Sequence, residues 1–211
     1  MTYLNRFPSF LLILAIAIIF SCNDERKTSP SGQVIRGNTE TPPQHASNGL
    51  DKSPMDMIYF PPDYPILKMS GKINTDPYIR VIYSRPQLEG RSLFGDILQI
   101  EKPWRMGANE ATEIEFFRDV SIADTQVKKG RYVIYAVPHE NAWEIRLNGN
   151  LYTWGLNIDC NYDITSFTLP SYSGDRKIEA FTMEFIPNNN GTELVLGWDT
   201  LRVSIPIFWQ P

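Results

Sequence analysis

The chain has 211 residues, with 20 basic and 24 acidic side chains and a formal net charge of −4 at pH 7. This length suits one domain, and the mildly acidic balance argues against a nucleic-acid partner. The only histidines, His45 and His139, lie in a polar segment and beside Pro138, which supports neither a histidine-based zinc site nor a histidine-driven triad. We therefore expect no metal and no cofactor, because no phosphate loop, dinucleotide fingerprint or nucleophile elbow occurs either.

The N-terminus has the layout of a secretory signal, with a positive charge at Arg6, an apolar run over residues 11–20 and small Ser21 before Cys22. An apolar run of this length is too short to span a bilayer. Its end resembles a bacterial lipobox, in which a signal peptidase cleaves before the cysteine and the thiol is lipidated, although Phe20 is bulkier than the commonest residue there. We predict a signal peptide over residues 1–21 and a lipidated Cys22 that anchors the protein to a membrane of the bacterial cell envelope, facing the periplasm or the cell surface. The alternative is an ordinary signal with an incidental cysteine.

Residues 22–65 are predicted to form the lipidated end and a flexible tether. The segment is polar and rich in proline, and it cannot bury enough apolar surface to pack by itself. A flexible coil of this length reaches about 35–40 Å. Residues before about Pro54 should be dispensable, whereas the apolar run 55–60 is expected to dock onto the domain. Cys160 is the only other cysteine, so we expect it to be a lone buried thiol.

After Pro65 the sequence alternates apolar and polar residues with the period of β-strands. Each strand then has one apolar face to cover, which predicts an all-β domain over residues 66–211, an antiparallel β-sandwich or a jelly-roll-like barrel. Residues 90–100 are the best place for one short helix or a lid loop. The predicted strands cover residues 78–84, 112–116, 131–137, 143–147, 181–185 and 201–207.

Two further signals concern the ends of these strands. Asn148-Gly149 is typical of a hairpin turn. Pro206 cannot donate a hydrogen bond to a neighbouring strand, which predicts that the last strand lies at a sheet edge.

The segment Trp104 to Thr112 has an unusual density of polar residues between apolar strands. Arg105 lies in it, and Arg85 and Arg91 lie in the preceding segment. Guanidinium groups suit the recognition of carboxylate, phosphate or sulfate. The alternative is that these arginines form internal ion pairs with Glu110, Asp96 or Glu89.

Other residues of this segment also have two interpretations. Glu110 can act as a general acid or base, or its carboxylate can accept backbone N–H groups of a turn. Gly107 and Asn109 can supply left-handed turn conformations that need no ligand. An exposed tryptophan among the five of the chain would suit stacking on a sugar ring, whereas most are expected in the core.

The domain resembles an uncharacterised bacterial family, domain-of-unknown-function family 2911, common in Bacteroidetes envelopes. The similar segments are Tyr83-Ser84-Arg85-Pro86, Gly90-Arg91, Trp104-Arg105 with Gly107 to Thr112, Gly130-Arg131-Tyr132, Pro138, Trp143, Trp154-Gly155 and Trp198 through Val203. They extend over residues 69–208, and residues 157–163 depart from the usual pattern. The resemblance implies a β-sandwich-like domain and brings no established activity.

Three functions remain open from the sequence. The first, which we favour, is a binding module that holds an anionic or polyhydroxylated envelope ligand such as a glycan. The second is a hydrolase or isomerase that uses Glu110 as acid or base and Arg105 to stabilise negative charge; no nucleophile, metal site or cofactor loop supports an enzyme. The third is a structural role in the envelope. The candidate binding residues are Tyr83, Arg85, Arg91, Trp104, Arg105, Asn109, Glu110 and Thr112.

Overall fold

A computed structural model describes residues 52–209, which belong to one compact unit of the chain. The predicted signal peptide, Cys22 and most of the predicted tether lie outside the described residues. Within residues 52–209, no helix is long and apolar enough to cross a membrane.

The described residues form one antiparallel sheet of nine strands in the order β1-β2-β3-β6-β7-β8-β9-β4-β5. The sheet does not close on itself over these residues, since β1 and β5 end the order. The prediction of an all-β, sandwich-like fold is confirmed. The strands are β1 (Met55–Phe60), β2 (Ile79–Ser84), β3 (Glu113–Phe116), β4 (Val120–Ile122), β5 (Thr125–Val127), β6 (Gly130–Pro138), β7 (Ala142–Asn148), β8 (Asp163–Asn188) and β9 (Gly191–Phe208).

The long strand β8 joins the two parts of the sheet. Its first part, up to Pro170, pairs with β7, and the part from Ser171 onward pairs with β9. The chain after β2 also reaches β8, because Leu88 N donates to Glu179 O at 3.0 Å and Phe181 N donates to Pro86 O at 2.9 Å. The early strands are thereby fixed to the far half of β8.

The alternation of apolar and polar residues along the strands places the core between the two parts of the sheet, as the sequence pattern predicts. In β7, Trp143, Ile145 and Leu147 are at most 2% exposed, whereas the side chains between them are half-buried. The same alternation buries Phe181, Met183 and Phe185 in β8. Burying each such side chain contributes about 1.5–3 kcal/mol, so the alternating faces hold the fold together.

Helical structure is short. Helix α1 (Tyr64–Met69) was not predicted; Pro65 lies in its first turn, where proline is favoured, and none of its residues is buried. The predicted helix or lid loop at residues 90–100 is a loop with one wide turn at Leu93–Ile97, in which Phe94 and Gly95 have non-helical backbone angles. A 3-10 turn covers Cys160–Tyr162.

The domain begins earlier than predicted, because β1 starts at Met55, before the expected boundary at residue 66. The whole of β1 pairs with β2, from Met55 opposite Ser84 to Phe60 opposite Ile79. The apolar run 55–60 thus belongs to the sheet.

The hairpin predicted at Asn148-Gly149 is wrong. The next strand begins only at Asp163. The buried Asn148 side chain donates to Asp163 Oδ1 at 2.7 Å and to Asp159 O at 3.0 Å, so it holds the base of a long connection together. The expectation that Cys160 is buried is also wrong, since it lies exposed in this connection.

The predicted edge position of the last strand is likewise wrong, because β9 lies between β8 and β4. Pro206 is tolerated there, since pairing with β8 ends at Val203 and pairing with β4 involves only Ile207 and Phe208. The missing N–H of Pro206 therefore interrupts no paired stretch.

Candidate functional site

Residues 104–112, here called the motif loop, leave and rejoin the same side of β6. Trp104 exchanges two backbone hydrogen bonds with Ala136, at 2.7 and 2.9 Å, and Thr112 O accepts from Ile134 N at 2.9 Å. Thr112 also closes the base of the loop, because its Oγ1 donates to Met106 O at 2.7 Å and its N donates to Arg105 O at 3.3 Å. The motif loop is therefore anchored to strand β6 at both of its ends.

Asn109 and Gly107 have different roles in the motif loop, one of backbone conformation and one of space. Asn109 has a φ of 58°, as predicted for a left-handed turn residue, and Met106 has a φ of 56°. Gly107 does not have a positive φ; its role is spatial. A Cβ there would lie 3.2 Å from Ser84 O and 3.3 Å from Thr112 Oγ1, so the loop approaches β2 so closely that a side chain at this position would be crowded.

Arg91, Trp104 and Arg105 line an open cavity of about 380 Å³, here called the arginine pocket. Trp104 stacks on Trp198, with ring centroids 5.6 Å apart and an interplanar angle of 23°. No carboxylate belongs to the described residues of its lining. These residues are Ser53, Pro86, Arg91, Ile97, Pro103, Trp104, Arg105, Gly107, Ala108, Gly155, Leu156 and Trp198.

Arg105 is the one of the three candidate arginines that lacks a partner within residues 52–209. Its side chain is half-buried, and its Nε is inaccessible to water and has no hydrogen-bond acceptor among the described residues. Burial lowers the pKa of the Arg105 guanidinium, because the charged form is desolvated without compensation. A partly buried cation in this state is a ready partner for an anion.

The other two arginines are occupied in different ways. Arg85 lies 3.4 Å from Asp56 Oδ2, and it donates to Thr182 Oγ1 at 3.0 Å. Arg91 donates from Nε to Leu88 O at 2.9 Å and from Nη2 to Gln87 O at 2.8 Å. Arg85 therefore ties β2 to β8, whereas Arg91 is held by carbonyls at the edge of the arginine pocket.

The predicted internal ion pairs of these arginines are not formed within the described residues. Glu89 pairs instead with Lys52 at 2.7 Å. Asp96 accepts from Ser92 N at 2.8 Å, and Glu110 is exposed and forms no ion pair there.

Five of the eight candidate residues lie outside the lining of the arginine pocket: Tyr83, Arg85, Asn109, Glu110 and Thr112. Tyr83 is 1% exposed; its hydroxyl accepts from Met183 N at 3.0 Å and donates to Asp56 Oδ2 at 3.3 Å. Burial raises the pKa of Tyr83 to about 12. Asn109 Nδ2 donates to Ser53 O at 3.2 Å, so the motif loop holds the chain that leads into β1.

Sequence reasoning did not assign Gly155, Leu156 and Trp198 to the site. Gly155 has a φ of 68°, and a Cβ there would lie 2.9 Å from Ala111 Cβ and 3.0 Å from Arg105 Cβ. Trp154-Gly155 and Trp198 belong to the family-like segments, but nothing in the sequence next to them indicates that they meet Arg105. They come close to Arg105 only in the folded domain, where the loop after β7 and strand β9 lie next to the motif loop.

Within residues 52–209, no group of three or more histidine, cysteine, aspartate or glutamate side chains is arranged to hold a metal ion. The fold and the arginine pocket together define an antiparallel β-sandwich-like domain with a cationic cavity at the base of the motif loop. Residues 65–207 match the family described as Protein of unknown function (DUF2911), which covers most of the chain. The protein belongs to this family, as its sequence motifs predicted. No curated protein and no solved structure matches the chain.

Proposed function

We propose that the protein is a binding module for an anionic ligand, held in the arginine pocket. The observation that supports this most is the half-buried Arg105, whose Nε has no acceptor among the described residues. Leaving a buried donor unsatisfied costs about 1–3 kcal/mol. A bound carboxylate, phosphate or sulfate would supply the opposite charge and would accept hydrogen bonds from the Nη groups of Arg105, which have no partner among the described residues.

The surroundings of Arg105 fit such a ligand. A guanidinium recognises these anions through two parallel hydrogen bonds. Arg91 adds a second positive charge to the lining, and the stacked Trp104 and Trp198 form an apolar wall. A wall of this kind lowers the local dielectric constant, which strengthens the attraction between guanidinium and anion. The volume of about 380 Å³ suits a single acidic sugar or a group of similar size.

Glu110 does not support the alternative of acid–base catalysis in this pocket. It is exposed and does not belong to the lining, although it lies in the motif loop close to Arg105 in sequence. A general acid or base must come within hydrogen-bond reach of the reacting group. The residues that line the arginine pocket therefore support binding rather than acid–base catalysis.

The proposal for binding is tested by equilibrium titration of the domain with glucuronate, inorganic phosphate and sulfate, followed by the fluorescence of Trp104 and Trp198. Replacing Arg105→Met should weaken binding by about 10- to 100-fold, because one charge-assisted contact contributes about 1.5–3 kcal/mol. Arg105→Lys keeps the charge and should retain part of the affinity. Binding should also weaken as the salt concentration rises.

Two control variants show whether an effect on binding is specific to Arg105 or follows from any change of charge. Glu110→Gln changes an exposed charge of the same loop, and Arg176→Met removes an exposed arginine outside the pocket. Both should bind as the unchanged protein does. If none of the three anions binds, or if Arg105→Met binds them equally well, the assignment of the pocket is wrong.

We also propose that the domain is displayed from a membrane of the cell envelope by a lipid on Cys22. The support is the apolar run ending in Ser21-Cys22, followed by the proline-rich segment. Cys22→Ser should move the protein from the membrane fraction to the soluble fraction. A variant that stays in the membrane fraction with unchanged processed mass would contradict lipidation.

A further inference from the structure

A second cavity lies where the bulged part of β8 meets the loop after β2. It is an open cleft of about 560 Å³, here called the Tyr172 cleft. Four segments build it: residues 90–94, the turn between β6 and β7, the β8 segment 171–177 and residues 199–201 of β9. Its lining includes the rings of Phe94 and Tyr172 and the polar side chains of Glu140, Asn141, Ser173 and Thr200.

The charges of the Tyr172 cleft balance, in contrast to those of the arginine pocket. Arg91 and Lys177 are basic, and Glu140 and Asp199 are acidic. Lys177 lies 3.6 Å from Asp199, so this cation already has a counterion. Arg91 is held by the carbonyls of the loop that carries it. An uncharged ligand therefore fits the cleft better than an anion does.

Two aromatic side chains are presented to this cleft. Tyr172 is 50% exposed and Phe94 is 40% exposed. An aromatic face that remains in water offers an apolar platform, and the C–H face of a sugar ring is a surface that can lie on it. Neither residue contributes to the buried core, so their exposure is not a consequence of packing the sheet.

Hydrogen-bonding groups surround these rings. The side chains of Glu140, Asn141, Ser173 and Thr200 have no hydrogen-bond partner among residues 52–209, and the Tyr172 hydroxyl has none either. Together they offer carboxylate and amide acceptors, amide donors and hydroxyl groups that can act as either. Sugar hydroxyls, which both donate and accept, match this mixture.

We propose that the Tyr172 cleft binds neutral sugar residues of a saccharide chain, with Tyr172 as the stacking platform. The balanced charge, the two exposed rings and the free polar side chains each favour a polyhydroxylated ligand. The cleft adjoins the arginine pocket at Arg91, which lines both. The two proposals are distinguishable, because a neutral saccharide carries no group for Arg105 and Tyr172 lies outside the arginine pocket.

The test is electrophoresis of the folded domain through native gels that contain dextran, mannan, xylan, galactomannan or mixed-linkage β-glucan. At least one of these neutral polysaccharides should retard the protein. Tyr172→Ala should weaken that retardation about tenfold in polysaccharide concentration, since one stacked ring dominates such contacts. Asn141→Ala should weaken it by a smaller factor, because one amide is removed while the platform stays.

Tyr162→Ala is the matched control, since Tyr162 is 53% exposed and lies outside the cleft lining. It should migrate as the unchanged protein does in every gel. Circular dichroism of each variant establishes that the fold is kept. If none of the five polysaccharides retards the protein, or if Tyr162→Ala loses retardation as strongly as Tyr172→Ala, the proposal is overturned.

Discussion

Replacing Gly155 by alanine should destabilise the domain far more than the same replacement at a glycine of similar backbone conformation. The φ of 68° at Gly155 is left-handed, which costs an alanine about 1–2 kcal/mol. The added Cβ would lie 2.9 Å from Ala111 Cβ and 3.0 Å from Arg105 Cβ. Overpacking of this kind costs about 1–3 kcal/mol, while the reduced freedom of the unfolded chain offsets about 0.4–1 kcal/mol. The net loss is about 3 kcal/mol.

Gly71 provides the comparison, because its φ is 69° and no atom lies within 4 Å of the Cβ position. Gly71→Ala has the left-handed cost without the crowding, so it should lose only about 1 kcal/mol. Urea unfolding followed by tryptophan fluorescence measures both free energies. The difference of about 2 kcal/mol corresponds to a Tm difference of about 4–8 °C for a domain of this size. Equal losses in the two variants, within about 0.5 kcal/mol, would refute the close approach of Gly155 to Arg105.

Three other predictions follow from the same structure. Burial raises the pKa of Tyr83 from its ordinary value of 10.0 to about 12; the folded state thus holds this proton more tightly than the unfolded chain. The resulting stability is complete below about pH 10 and is lost as the pH rises to about 12. Urea unfolding across that range should show a steeper decline for the unchanged protein than for Tyr83→Phe, and parallel curves would contradict this. Deleting residues 23–50 should change the Tm by no more than about 2 °C in a thermal melt, because this polar, proline-rich segment has too little apolar surface to pack; a large drop would place part of that segment in the fold. Asp163 accepts hydrogen bonds from three side chains, so Asp163→Ala should cost about 3 kcal/mol in urea unfolding. The exposed Asp175→Ala should stay within about 0.5 kcal/mol, and similar losses in both would show that the network contributes little.

The strands could be predicted because their signal is local. In β3, Ile114 and Phe116 are at most 1% exposed, whereas Glu113 and Glu115 point to the other face. One such strand shows its buried face in its own alternation. Helix α1 has no such signal, since its six residues are too few to show a repeating apolar stripe and none of them is buried.

The candidate site was predicted only in part, because the partners of its side chains lie far away in the sequence. Arg85, Arg91 and Arg105 have equivalent chemistry in the sequence, and only the fold shows that Arg105 alone lacks a partner within the described residues. Trp198 stacks on Trp104 across a separation of more than 90 residues. Glu110 belongs to the same loop as Arg105, yet it is exposed and lies outside the lining of the arginine pocket. The number of charged residues in this part of the sequence does not show which of them have partners and which line the pocket.

Strand β8 contributes in two ways: its regularly paired parts belong to the sheet, and a bulged part belongs to the Tyr172 cleft. Between Ser173 and Thr182, β8 advances nine residues while its partner β9 advances only four, from Leu201 to Gly197. The register shifts at two bulges. The second, between Ile178 and Thr182, bonds to the chain after β2 and contains the buried Phe181, whereas the surplus residues between Ser173 and Ile178 contribute to the Tyr172 cleft. Insertions or deletions among them would reshape the Tyr172 cleft while the hairpin of β8 and β9 stays intact. We therefore expect family members to differ in the length of this one segment, and a comparison of their sequences should find length variation concentrated between residues 173 and 178.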